Sequence, residues 1–194
     1  MNAINYDYRG FDTLGEEFIL FTAVLGVTML LRREDDAPAR PVDTLQDNFR
    51  LSAAVRAINL PSLLITTVFG FYIGLHGQLT PGGGFQAGVI LATAAFLVYL
   101  CENTESFRRI TSHAAVEVTE AVGAGAYVLI GIAPLLIDSP FLCNILPYGK
   151  TGDVFSAGTI ALISVCVGVE VTASFLLVVY TYLQEIVATS SGSD

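Results

Sequence analysis

Charged side chains are scarce in this sequence: they make up 14% of its 194 residues, where soluble domains carry about 25%. Apolar residues fill the space they leave, at 53%, and that balance excludes an ordinary soluble domain in favour of a membrane protein. Basic residues are the scarcest. Nine Lys and Arg stand against eighteen Asp and Glu, so the formal charge of −9 excludes nucleic acid, and anionic lipid, as the main partner. Cysteine is limited to Cys101, Cys143 and Cys166, scattered through apolar stretches with no CxxC or Cys/His spacing. That points to small buried residues rather than a disulfide framework or a metal centre, and no cofactor is expected. MNAINYDYRGFD has no basic leader, no short apolar core and no small-residue cleavage site, so no removable signal peptide is expected and the first apolar segment stays in the protein. No long-period repeat is visible, and the low-complexity tail TSSGSD is expected to be disordered.

What is present is a set of long apolar runs. A hydrocarbon core of about 30 Å needs roughly 20 mainly apolar residues in a helix. Five segments qualify or nearly so: Thr13 to Leu31, Pro61 to Leu79, Phe85 to Cys101, Glu117 to Ile137, and Phe155 to Leu183. The stretch Arg32 to Leu60, with RREDD and two prolines, is the clear break in composition and separates one helix from a group of four. Positive residues gather in two connections, Arg32, Arg33, Arg40, Arg50 and Arg56 in one, Arg108 and Arg109 in the other. The positive-inside rule puts both on the cytoplasmic side. The expected fold class is therefore an all-α integral membrane protein of about five transmembrane helices, N-terminus outside and C-terminus cytoplasmic, in the cell's inner (plasma) membrane.

Between the second and third runs lies HGQLTPGGGFQAG. A phosphate-binding loop requires GxxxxGK[ST] after a strand, and neither the Lys nor the strand is there, so the nucleotide reading fails. Pro81 is expected to end the preceding helix, and Gly82, Gly83 and Gly84 to allow a tight reversal and a close backbone approach before Phe85. His76, about a turn earlier, either belongs to a hydrogen-bonded hairpin hinge or sits where the fields of two helix ends meet. Gly70 with Gly74, and Gly84 with Gly88, are GxxxG pairs suited to close helix packing in lipid.

Acidic residues inside the spans are harder to dismiss, since each central carboxylate costs on the order of 2.5 to 3.5 kcal/mol on insertion scales. Glu170 sits near the middle of the last span, a helix about 43 Å long, too deep to snorkel. Cys166, Ala173 and Ser174 share its face, a seam that another helix or water could approach. It reads as a proton carrier, as the partner of a Lys or Arg from another subunit, or as a neutral acid that simply hydrogen-bonds. Glu117 and Glu120 share a face at the start of the fourth span; helix-end solvation accounts for Glu117, while Glu120 lies one turn deeper. In DTLGEEFILF a capping box from Thr13 to Glu16 is expected, with Glu17 adding favourable charge to the first turn. Two adjacent acids against a span of just sufficient length imply that at least one meets polar company.

These residues converge on a family. HGQLTPGGGFQAGVILATA resembles the signature of the B subunit of Mrp-type multisubunit sodium/proton antiporters, and FLCNILPYGKTGDVFSAGTI resembles a second block near that subunit's last helix. NYDYRGFDTLGE is similar to the C-terminal end of the large A subunit, or to the small subunit carrying that piece in membrane-bound hydrogenases. The resemblance implies a fusion: an A-like terminal helix over residues 1–31, a polar cytoplasmic linker over 32–60, a four-helix B-like membrane domain over 61–186 and a tail over 187–194. It implies no catalysis by this chain itself, and as partners other antiporter or hydrogenase membrane subunits, A-type and small C-type among them, lipid, and sodium ions or protons. By the same resemblance the ion-associated position of the DTLGE motif falls on Glu16, with Asp12 and Thr13 beside it. The histidine and glycine-turn positions fall on His76 and on Pro81 through Phe85. The expected mechanism is a hydrated route along Glu16, Glu120 and Glu170, with His76 near the outer side. The alternatives are the same module in a redox-driven complex and a scaffold that conducts nothing.

Overall fold

The computed structural model describes residues 2–31, 52–101, 112–150, 152–153 and 156–190. Among them every regular element is helical: α1 Gly10–Leu31, α2 Ala53–Leu75, α3 Gly84–Cys101, α4 His113–Ile132 and α5 Thr159–Ser190. A π-helical turn, Ile4–Tyr8, precedes α1, and a 3-10 turn, Ala133–Ile137, extends α4. Four of these helices are long and apolar enough to cross a membrane, and α3 contributes a shorter apolar stretch, Gly84–Tyr99. The chain is an all-α membrane protein. Apart from Arg56, which falls in α2, the basic residues of the two connections on which the expected orientation rests lie outside the described residues, so the two ends of the bundle are named here by content: the turn end, which holds PGGG, and the opposite end.

Several element boundaries differ from expectation. Ser52 caps α2, its hydroxyl accepting from the Val55 N–H at 3.3 Å, so residues 53–60 belong to the helix rather than to the linker. Pro61 is then an interior proline. The helix stops at Leu75 and His76 is its C-cap, six residues before the glycines; Pro81 does not end it. α1 starts at Gly10, which places Thr13 inside the helix, so there is no capping box. The Thr13 hydroxyl instead donates to the Asn5 carbonyl at 2.7 Å and stitches the π turn to α1. At the far end α5 begins at Thr159, after Gly158 at φ +61, and Thr189 and Ser190 of the expected tail are helical. Phe155 and residues 191–194 lie outside the described set.

α5 is the axis of the bundle. Between Ile160 and Thr181 only Leu162, Val165, Val169 and their immediate stripe are exposed, because α1, α3 and α4 all pack on it, while α2 packs mainly on α3. Close approach is achieved with glycines. A Cβ on Gly88 would lie 2.6 Å from Val171 Cβ, and one on Gly84 would collide with the Ser164 carbonyl of α5. Gly70 and Gly74 admit Leu91 and Ala87 of α3 in the same way. On the other side of α5, Gly123 of α4 rests against the backbone of Glu170, where a Cβ would stand 2.9 Å from its nitrogen. Two apolar clusters form the core: Val24, Ala92, Val116, Ala173, Leu176 and Leu177 towards the opposite end, and Tyr6, Tyr127, Ile160, Ile163, Val167 and Val171 towards the turn end. Glu170 and Ser174 fall between them.

Candidate functional site

Three carboxyl groups from three helices are buried in the middle of this bundle. α1 buries Gly10, Thr13, Glu17 and Val24, a stripe of alternating three- and four-residue steps that faces α5. Glu17 is 2% exposed on that stripe, while Glu16, about 100° around the helix, is exposed on the surface of the chain. α4 buries Val116, Glu120, Gly123, Ala124, Tyr127 and Gly131 on one face, with Glu120 3% exposed. α5 brings Glu170, fully buried.

The register along α4 orders these groups. Gly123 lies against Glu170, so Glu120 sits about one turn below that level and Tyr127 about one turn above it. Ser174, one turn along α5 from Glu170, donates its hydroxyl to Glu120 Oε1 at 2.5 Å. Glu170 lies within Coulombic range of both Glu17 and Glu120. Both Glu170 oxygens and Glu17 Oε2 are buried with no hydrogen-bond partner among the described residues. No Lys or Arg occurs within any of the spans 10–31, 57–75, 84–101, 113–137 or 159–182. A buried carboxylate without a counter-charge is strongly disfavoured. On the seam beside Glu170, Gly123 of the chain's own α4 lies against the Glu170 backbone.

The turn end carries a second polar cluster. Asn2 is fully buried, its amide donating to Ser164 Oγ at 3.0 Å, and Ser164 donates to the Gly74 carbonyl at 3.2 Å. The Asn2 side chain occupies the space left by Gly77 and Gly83, where any Cβ would overlap it. Gly82, at φ +151, takes a backbone conformation that side-chain-bearing residues rarely adopt. The Tyr6 hydroxyl lies within hydrogen-bond reach of the Gly84 N–H and the Ser164 hydroxyl, and burial holds this phenol above its ordinary value, so it stays protonated. Its ring meets Tyr127 edge-on at 6.4 Å, and the Tyr127 hydroxyl donates to the Gly10 carbonyl at 3.0 Å.

The residues singled out in the sequence therefore separate into groups. Glu120 and Glu170 come together, joined by Glu17 rather than Glu16. Asp12 is exposed and paired with Arg9 at 2.9 Å, and Thr13 is buried against backbone carbonyls. Glu117 is exposed beside His113 at 3.3 Å and does not share the burial of Glu120. His76 is half-buried, stacked on Tyr72 at 4.7 Å, with Nδ1 buried and unpartnered, away from the carboxyl groups. Pro81 and Phe85 are exposed, whereas Gly83 and Gly84 are buried. Sequence reading missed Asn2, Tyr6, Tyr127 and Ser164. The three-and-four spacing Gly10, Thr13, Glu17, Leu20, Val24 was the available signal for Glu17.

Residues 55–177 match the family described as a domain related to the MnhB subunit of Na+/H+ antiporter. An uncharacterised protein of Methanocaldococcus jannaschii is 31% identical over 90% of this chain and 75% of its own length. Among solved structures, a chain of the membrane-bound sulfane sulfur reductase, an archaeal respiratory membrane complex, superposes with a TM-score of 0.71 at 30% identity, covering 94% of this chain and 76% of that one. A chain of the Mrp complex from Dietzia sp. DQ12-45-1b gives 0.71 at 25% identity over 93% of this chain, which spans 20% of that longer one. Since the matched residues make up more than half of its length and hold the glycine turn, Glu120 and Glu170, the chain belongs to the family of domains related to the MnhB subunit of Na+/H+ antiporters.

Proposed function

We propose that this chain is a membrane subunit of a multisubunit cation/proton antiporter and that Glu17, Glu170 and Glu120 form its part of the ion route. One observation carries the reading: three buried carboxyl groups stand in register on three helices, two of them with unpartnered oxygens, in spans that hold no basic residue. A structural role would have satisfied those oxygens with donors, as Ser174 does for one oxygen of Glu120. Their nearness to one another makes the binding of a proton or cation at one site weaken binding at the next, which suits stepwise transfer. Glu16, on the outer surface of α1, is placed to face a neighbouring A-type or small C-type subunit, where it would connect this internal file to theirs. With the N-terminus outside, the turn end with His76 is the outer end, in the inner membrane of the cell.

The test is Glu17→Gln and Glu170→Gln, measured as cation-dependent proton movement in membrane vesicles carrying the assembled complex. Glutamine keeps the volume and removes the titrating proton. Transport should fall by at least about tenfold in each, the size expected for removing a positioned proton carrier. Wild-type transport in both variants refutes the route.

A second reading concerns the assembly, and the likeness to the respiratory complex supports it, because that match has 30% identity and covers 76% of the matched chain, against 25% and 20% for the Mrp complex. In that setting redox energy would drive the same ion step. Iron–sulfur absorbance in the complex purified through this chain distinguishes the two assemblies.

A further inference from the structure

At the turn end the carboxyl file runs into aromatic hydroxyls, and that junction has a chemistry of its own. Tyr127 stands about one turn of α4 above the level of Glu170, on the same buried stripe as Glu120 and Gly123. It is fully buried, and Tyr6, 3% exposed, packs edge-on against it. The Tyr127 hydroxyl rests on the Gly10 carbonyl, at the head of the α1 stripe that continues through Thr13 to Glu17. Glu17 and Glu170 both lie within Coulombic range of Tyr127. Behind the rings, the Tyr6 hydroxyl meets Ser164 and Gly84, and Asn2 fills the gap between Ser164 and the glycine turn. Between the turn and the carboxyl groups the chain thus offers phenol, hydroxyl and amide groups packed among Ile160, Ile163 and Val167.

Resting on the route proposed above, we infer that Tyr127, backed by Tyr6, is the specificity-determining element at the turn end of the file, and that it admits protons while excluding hydrated sodium. A proton crosses a hydroxyl by exchange: the phenol oxygen takes a proton from one side on its lone pair and releases its own to the other, so no heavy atom travels. A sodium ion has to move bodily with at least part of its water shell, and two edge-packed rings held by hydroxyl anchors leave no lumen for it. The Gly10 carbonyl holds the Tyr127 hydroxyl in the resting arrangement; rotation of that O–H away from the carbonyl and towards the carboxyl level is the transfer step. Tyr6 is a positioning residue, since its anchoring at Ser164 and Gly84 holds the second ring in place. The glycines at 77 and 83 contribute by letting Asn2 close the remaining space.

The experiment uses vesicles carrying the assembled complex, with sodium-dependent proton movement measured under an imposed pH gradient and a 22Na+ leak measured separately with no pH gradient. Tyr127→Phe keeps the ring and removes the exchanging hydroxyl; proton movement should fall about tenfold, the rate equivalent of one lost hydrogen-bonding step. Tyr127→Ala removes the ring as well and should add a sodium leak absent from the parent. Wild-type proton movement in Tyr127→Phe, together with a block in Glu170→Gln, overturns the tyrosine assignment and leaves the carboxyl route standing. Absence of a sodium leak in an assembled Tyr127→Ala overturns the exclusion. If Glu17→Gln and Glu170→Gln are both silent, the route itself fails whatever the tyrosine does. Should Tyr127→Phe not assemble, Tyr6→Phe carries the same measurement with the central ring untouched, and unchanged proton movement there counts against the assignment.

Discussion

The two flanks of α5 are built from opposite materials. Towards α3 the contact is glycine against α5, with Gly84 and Gly88 set against Ser164, Gly168 and Val171. Towards α1 and α4 a single glycine, Gly123, brings the helices together, and the space around it is given to Glu17, Glu120 and Glu170. The first flank gains dispersion and shape complementarity and buries no carboxyl group among the described residues. The second buries polar atoms without partners among the described residues, which costs packing energy. One helix thus carries a close-packed seam and a carboxyl-bearing seam back to back.

The most damaging way to break this comparison is on the rigid side. Gly84→Leu forces a side chain into the Ser164 carbonyl, a backbone atom that cannot rotate aside. Overpacking at such a site destabilises by about 3 kcal/mol. Loss of the assembled complex from detergent-solubilised membranes, read by size-exclusion chromatography, is the expected result; assembly at the parental level would show that the α3–α5 seam yields.

A smaller change on the other flank sharpens the contrast. Ser174→Ala deletes the one hydroxyl that satisfies Glu120 and leaves a third carboxyl group short of a donor. The loss is about 1–3 kcal/mol, the range for orphaning a buried acceptor. Thermal unfolding of the complex should shift down with the helices intact by circular dichroism. An unshifted transition would mean that Glu120 finds another donor and that the flank is less depleted of partners than Glu170 suggests.

How far the sequence discloses this arrangement depends on the kind of signal. Apolar length marks the spans because lipid imposes it on every helix, and the depth of Glu170 follows directly. The capping box from Thr13 to Glu16 fails because the same four residues satisfy a helix start and a helix interior equally well; the π turn at Ile4–Tyr8, which moves the start to Gly10, has no local signature. Pro61 looks like a boundary from composition, yet the Ser52 cap lies nine residues before it, and membrane helices tolerate an interior proline. Tyr127 is one aromatic among many in an apolar span, and only its register with Gly123 and Glu170 sets it apart. Asn2 is silent in the sequence because its partners, Gly77, Gly83 and Ser164, are remote along the chain.

The smallest expected effect on stability belongs to Glu16, and it tests where the internal file ends. Glu16 and Glu17 are chemically identical and adjacent, but a helix turns by about 100° between them, so one is exposed and the other is 2% exposed. Glu16→Gln removes an exposed charge and should change the stability of the complex by no more than about 0.5 kcal/mol. Its transport phenotype carries the information. If Glu16 connects the file to a neighbouring subunit, Glu16→Gln lowers cation-dependent proton movement, but less than Glu17→Gln, because water at a subunit boundary can substitute for an exposed carboxyl group and cannot enter as freely beside a buried one. Equal losses in the two variants, measured in the same vesicles, would place Glu16 inside the route and erase the distinction between the two faces of α1.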